Sequence, residues 1–140
     1  MKSTLLLTII ACVLFSCACK KDPTIVSNIC DKQIIIDSKL YNNGDNDPLT
    51  IKDIKLDGDC LDITYSYGGG CADVQFNLVC DGAIMESMPL QTNVRVNFRD
   101  KDNCKALITT TESIDLTPLK KLGTPISFKL KGWETRILYE

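Results

Sequence analysis

The sequence predicts an all-β sandwich, and three observations carry that prediction. Apolar and polar residues alternate with period 2 in segment after segment. Turn signals recur about every ten residues. No stretch shows the helical apolar period over a useful length.

The clearest strands flank a glycine run in the middle of the chain. Leu61, Ile63, Tyr65 and Tyr67 share one face, with Asp62, Thr64 and Ser66 on the other. Beyond Gly68-Gly69-Gly70-Cys71, Val74, Phe76 and Leu78 point inward and Asp73, Gln75 and Asn77 outward. Alternation this clean means half-buried strands. The glycines are expected to let the backbone take positive φ at the arch between them.

The other elements follow in order. Ile34-Ile35-Ile36, within 33–41, is β-branched and too short for a helix, so it reads as an added edge strand. Asn42 to Pro48 has loop composition, and its alternating carboxylates lack the glycine and distal Glu of an EF-hand. Strands are expected at 49–56, 60–67, 72–80, 93–99, 105–116, 125–131 and 134–140. Asp57-Gly58-Asp59, Asp81-Gly82, Asp100 to Asn103 and Gly132-Trp133 supply turns. Ala83 to Met88 reads as a short edge element ended by Pro89, and Thr117 to Gly123 has room for one helical turn. This order fits an immunoglobulin-like antiparallel β-sandwich of seven to eight strands. A small lipocalin-like β-barrel is the alternative, because strand count does not separate the two.

The N-terminus carries an address. Met1-Lys2 is a short charged start, and Leu5 to Phe15 is an apolar run of eleven residues broken only by Thr8. A bilayer span needs about 20 residues, so the run fits the apolar region of a secretory signal. Leu14-Phe15-Ser16-Cys17 then resembles a bacterial lipobox. The resemblance implies that 1–16 is a lipoprotein signal peptide and that Cys17 is lipidated. It also makes 17–30 the lipidated N-terminus and tether, and 31–140 the sandwich domain. Two or three acyl chains anchor stably where one does not. Lys20-Lys21-Asp22, soon after the anchor, is similar to charged export signals of Bacteroidetes surface lipoproteins. The domain as a whole resembles small envelope lipoproteins of Bacteroidetes through Tyr65 to Cys71, Glu86 to Pro89 with Gln91, Cys104-Lys105 and Ile114 to Leu116. These resemblances imply an envelope location, lipid-anchored in the outer membrane on its periplasmic face or at the cell surface.

Once Cys12 leaves with the signal and Cys17 takes lipid, Cys19, Cys30, Cys60, Cys71, Cys80 and Cys104 remain. An even number in an exported chain reads as disulfides. In a sandwich the turns after 60–67, 93–99 and 125–131 gather at one end, so Cys71–Cys104 is the first pairing expected. Cys60–Cys80, at the opposite end, is the second, with Cys30 competing for Cys60. Cys60–Cys71 is excluded, because a strand separates them and bonded Cα atoms lie within about 7 Å. There is no C-x-x-C pair, so no metal and no cofactor are expected.

The formal net charge is −2, which points to no nucleic-acid partner. Asp45 to Asp62 carries six Asp against two Lys, and Lys120 to Arg136 five bases against Glu134. The chain contains no histidine, which excludes Ser-His-Asp and Cys-His nucleophiles and the commonest general base. No Ser-x-x-Lys occurs, and the glycine run lies between strands rather than before a helix. The expectation is a protein that is not an enzyme but a binding or accessory module. Its candidate surface is Tyr67, Trp133, Asp100 and Asp102 around a disulfide-rigidified rim, suited to an unknown protein or glycan. An envelope enzyme inhibitor or a purely structural lipoprotein are the alternatives. Burial of Trp133 decides between presentation and packing.

Overall fold

In a computed structural model, residues 29–140 are described. The expected signal peptide, Cys17 and nearly all of the tether lie outside them. Described in chain order are β1 (Lys32–Gln33), β2 (Ile35–Ile36), α1 (Ser38–Asn43), β3 (Thr50–Asp57), β4 (Cys60–Gly69), β5 (Gln75–Cys80), β6 (Leu90–Arg99) and β7 (Ala106–Asp115). A 3-10 turn at Thr117–Lys121, β8 (Ile126–Leu130) and β9 (Arg136–Tyr139) complete the chain. Two sheets pack face to face, in the orders β1-β7-β4-β3 and β2-β5-β6-β8-β9. Neither closes into a barrel. The molecule is an all-β sandwich.

Period-2 alternation sets which face is buried. Leu61, Ile63, Tyr65 and Tyr67 of β4 meet Phe76 and Leu78 of β5 and Val94, Val96 and Phe98 of β6 in one core. Tyr65 stacks on Phe76 at 4.6 Å between ring centroids and meets Phe98 edge-on at 5.7 Å. Burying each such side chain stabilises the fold by roughly 1.5–3 kcal/mol. Ile126, Phe128 and Leu130 of β8 and Tyr139 of β9 extend the core toward the chain's end.

Three features differ from the sequence reading. The stretch 33–41 is not one edge strand. Ile34 is buried where the chain leaves β1, paired parallel to β7, and enters β2, paired parallel to β5. Asp37 then caps α1 by accepting the Leu40 N–H at 2.8 Å, so 38–43 is helical. Second, the pairing departs from immunoglobulin order: β6 lies in the sheet of β5, and β8 runs parallel to it. Third, β6 begins at Leu90, and Ala83 to Met88 contributes only a bridge from Met85 to Gln91.

Cys80 is the correction with the clearest cause. Cys60 is bonded to Cys30, and Cys80 is a free, buried thiol. On β4 the inward set is Leu61, Ile63 and Tyr65, so Cys60 faces outward; on β5 the inward set is Phe76 and Leu78, so Cys80 faces the core. The Cys80 thiol lies in the core and Cys60 on the outer face of the other sheet, so the backbone of β4 stands between them. Cys80 Sγ instead lies 3.3 Å from Thr92 Oγ1, and burial pushes its pKa up.

Candidate functional site

The end of the sandwich where β4 and β6 finish carries a rim built from two loops. Cys71, just past β4, is bonded to Cys104, just before β7. Asp102 organises the same loops from inside. Its carboxylate accepts the N–H groups of Cys71 at 2.8 Å, Ala72 at 3.0 Å and Cys104 at 2.9 Å. The Cys71 N–H bond leads in holding the Asp102 pKa below its ordinary value. Asp100 accepts the Asp102 N–H at 3.0 Å, and its own N–H donates to Asp47 at 2.8 Å. Two aspartates and a disulfide thus fix loops that bury little apolar surface.

The binding candidates divide. Asp100 and Asp102 are at the rim; both carboxylate oxygens of Asp102 accept backbone N–H groups, and one oxygen of Asp100 does. Tyr67 is only 8% exposed, its ring edge-on to Phe98 at 5.1 Å, and burial raises its pKa. It is a core residue and presents no ring face to a partner. Trp133 is half-buried, packed on the core and sharing a surface hollow with Ile51. Tyr67 therefore packs, while Trp133 is part packed and part exposed. In the glycine run only Gly70 takes positive φ, at 106°. Gly69 is required instead by close approach: a Cβ there would lie 2.7 Å from the Asp100 carboxylate and 2.9 Å from the Tyr67 ring.

What the sequence reading missed at this end is Leu107. On β7, Ile108, Thr110 and Ile114 share a face with the inward Tyr67, Tyr65 and Leu61 of β4. Leu107 points outward, opposite Gly68, and is 78% exposed. Gly68 has no side chain to cover it. Ala106 precedes it on β7, and Cys71, Ala72, Asp73, Lys101 and Lys105 of the stapled loops are exposed as well. The parity of β7, counted back from Ile114, was the available signal.

The opposite end holds a polar cluster of another kind. Asp59 accepts from Lys120 Nζ at 2.8 Å and from the Tyr139 hydroxyl. The Lys120 bond leads in lowering the Asp59 pKa, and that same bond raises the pKa of Lys120. Burial first, then Asp59, pushes Tyr139 up to about 12. Every member is satisfied by another, so the cluster is a clasp across the sandwich. Among the described residues no three His, Cys, Asp or Glu converge as metal ligands.

Comparison with known proteins bears on the fold. No protein-family model and no curated protein matches the chain. Solved structures do. A protein of unknown function (DUF1344) from Bacteroides vulgatus superposes with a TM-score of 0.53 at 17% identity, covering 78% of this chain and 56% of that one. A NigD-like immunity protein from Bacteroides caccae gives 0.53 at 16% identity, covering 76% and 57%. A toxin-related protein from Parabacteroides distasonis gives 0.55 at 14%, covering 78% and 60%. The chain spans less than two thirds of each. Identity this low shows a shared β-rich fold.

Proposed function

We propose that this protein is a lipid-anchored, non-catalytic component of the Gram-negative envelope that recognises another protein through the stapled rim, in the manner of an immunity protein. One observation carries the reading: Leu107 stands 78% exposed at the start of β7, beside loops already fixed by a disulfide and by Asp102. An apolar centre ringed by charge is the composition of an interface, and a surface ordered in advance loses little entropy on binding. The immunity kind rests on one fold neighbour's name. Lipid anchoring rests on the lipobox resemblance at Cys17. A rim protein tethered in this way meets its partner at the membrane.

Two experiments test it. Mass spectrometry of the native protein should find a triacyl-type mass on Cys17; an unlipidated chain would remove the envelope reading. In pairwise competition with neighbouring Bacteroidales strains, a strain lacking the protein should lose survival against at least one. Wild type should restore it and Leu107→Lys should not, with both folded and equally abundant. Protection unchanged in Leu107→Lys would move recognition away from the rim, and no protection by wild type would end the immunity reading.

A further inference from the structure

The hydrogen-bond ladder along one edge of β6 is interrupted. Successive carbonyls of a strand point to opposite neighbours. The Asn93 carbonyl accepts from the Asp81 N–H, on the β5 side. The Val94 carbonyl accepts from the Lys131 N–H at 2.9 Å and the Phe98 carbonyl from the Asp47 N–H at 3.0 Å, both on the other side. Val96 stands midway in this alternation, so its N–H and C=O face the same way as those of Val94 and Phe98. β8 stops at Leu130, opposite Val94, and the next backbone at this edge is Asn46, opposite Phe98. Among the described residues none bonds the Val96 backbone on that side.

The gap opens into a notch of about 410 Å³ whose walls include Asp47, Ile51, Arg95, Val96, Phe98 and Lys131. That is the size of small-ligand sites, about 300–1,000 Å³. Arg95 is 8% exposed, and its Nη groups hold the carbonyls of Tyr41, Gly44 and Asp45. Its buried Nε has no partner. Lys131 is exposed, and no described carboxylate pairs with it. The Asp47 carboxylate is engaged by the Asp100 N–H. The notch therefore offers one free backbone donor, one free backbone acceptor, an unpaired cation and an apolar wall. Unpaired backbone groups within a sheet are rare, because each loses its water without gaining a partner.

We propose that the notch binds the C-terminal end of an extended peptide. A backbone amide near that end supplies the missing rung on Val96, as in strand addition. The α-carboxylate pairs with Lys131, and an apolar side chain enters against Ile51 and Phe98. This site is separate from the rim: neither Leu107 nor the disulfide lines it.

The test uses the full-length protein and pools of N-acetylated tetrapeptides with an apolar residue at or next to the C-terminus. Each pool is made with a free carboxylate and again as the amide. Trp133, the only tryptophan, adjoins Gly132 of the notch and reports by fluorescence, and amide NMR reports on Val96. The Val96 N–H should exchange with solvent faster than that of Val94, which stands opposite β8. Free-carboxylate pools should shift the Val96 amide and Trp133 emission, with amidated pools weaker. Lys131→Glu should weaken binding about tenfold or more with an unchanged melting temperature. The proposal is overturned if Val96 exchanges as slowly as Val94, if no pool binds, or if amidated and free pools bind alike. Loss of peptide binding in Lys131→Glu alongside intact protection in competition assays would leave the rim reading standing by itself.

Discussion

The two ends of the sandwich are each closed by a disulfide and an aspartate, yet they do different things. At the clasp end, Asp59 joins Lys120 and Tyr139 above Leu116 and Leu119, which are fully buried. At the rim, no described cation pairs with Asp102; it gathers backbone N–H groups, and Leu107, near the start of β7, is left in solvent. The clasp closes over a core, whereas the rim holds its own loops. Comparing them separates polar groups that protect burial from polar groups that shape a surface.

The largest effect that sharpens this contrast is in packing. Leu119→Ala should cost about 2–5 kcal/mol in denaturant unfolding, the range for deleting a buried leucine. Leu107→Ala should stay within about 0.5 kcal/mol, as exposed substitutions do. Equal losses would mean that Leu107 is buried in solution.

Next come the staples. Cys30–Cys60 and Cys71–Cys104 close nearly equal spans, 30 and 33 residues, so chain entropy alone makes their removal cost about 3.7 kcal/mol each. Cys71→Ser with Cys104→Ser should also raise amide exchange through 70–73 and 101–105 and leave Leu119 protected. Loosening at the clasp would break the comparison.

The pH dependence is smaller and has a different sign at each limit. Asp59 and Asp102 have folded pKa values below the ordinary 3.8, so their contribution is present above that value and is lost as pH falls through the lowered one. Tyr139 is raised, so its contribution is complete below about pH 10 and is lost as pH rises through about 12, and the raised Lys120 acts in the same direction. Melting temperature against pH should lose part of its acid limb in Asp102→Asn and part of its alkaline limb in Tyr139→Phe. An unaltered acid limb in Asp102→Asn would mean that the carboxylate does not hold the rim.

Last, with little energetic consequence, peptide mapping after alkylation should find Cys80 unlabelled in the folded protein and labelled without reductant once unfolded. Cys80 recovered in a bond to Cys60 would contradict the outward and inward parities of β4 and β5.

That parity was legible in the residues. Once Leu61, Ile63 and Tyr65 are read as inward, Cys60 points out, and Phe76 with Leu78 turns Cys80 in. The same counting from Ile114 exposes Leu107. Tyr67 shows the limit of such reading. Its inward parity was plain, but whether the sandwich mouth stayed open above it depended on Phe98 arriving from the other sheet.

The sequence by itself determined most of the strands, their faces, the turns between them and the end at which Cys71 and Cys104 lie, because these follow from local alternation and chain direction. Only the tertiary structure decided that β8 runs parallel beside β6, since the strand before β8 in the chain belongs to the other sheet and alternation names no neighbour. It also decided that α1 and the loop to Pro48 cross the outer face of β6, held by Arg95 and Asn97 through the backbone carbonyls of Leu40, Tyr41, Gly44 and Asp45. Those contacts join residues 50 or more positions apart. A period of two carries no information at that range; packing supplies it.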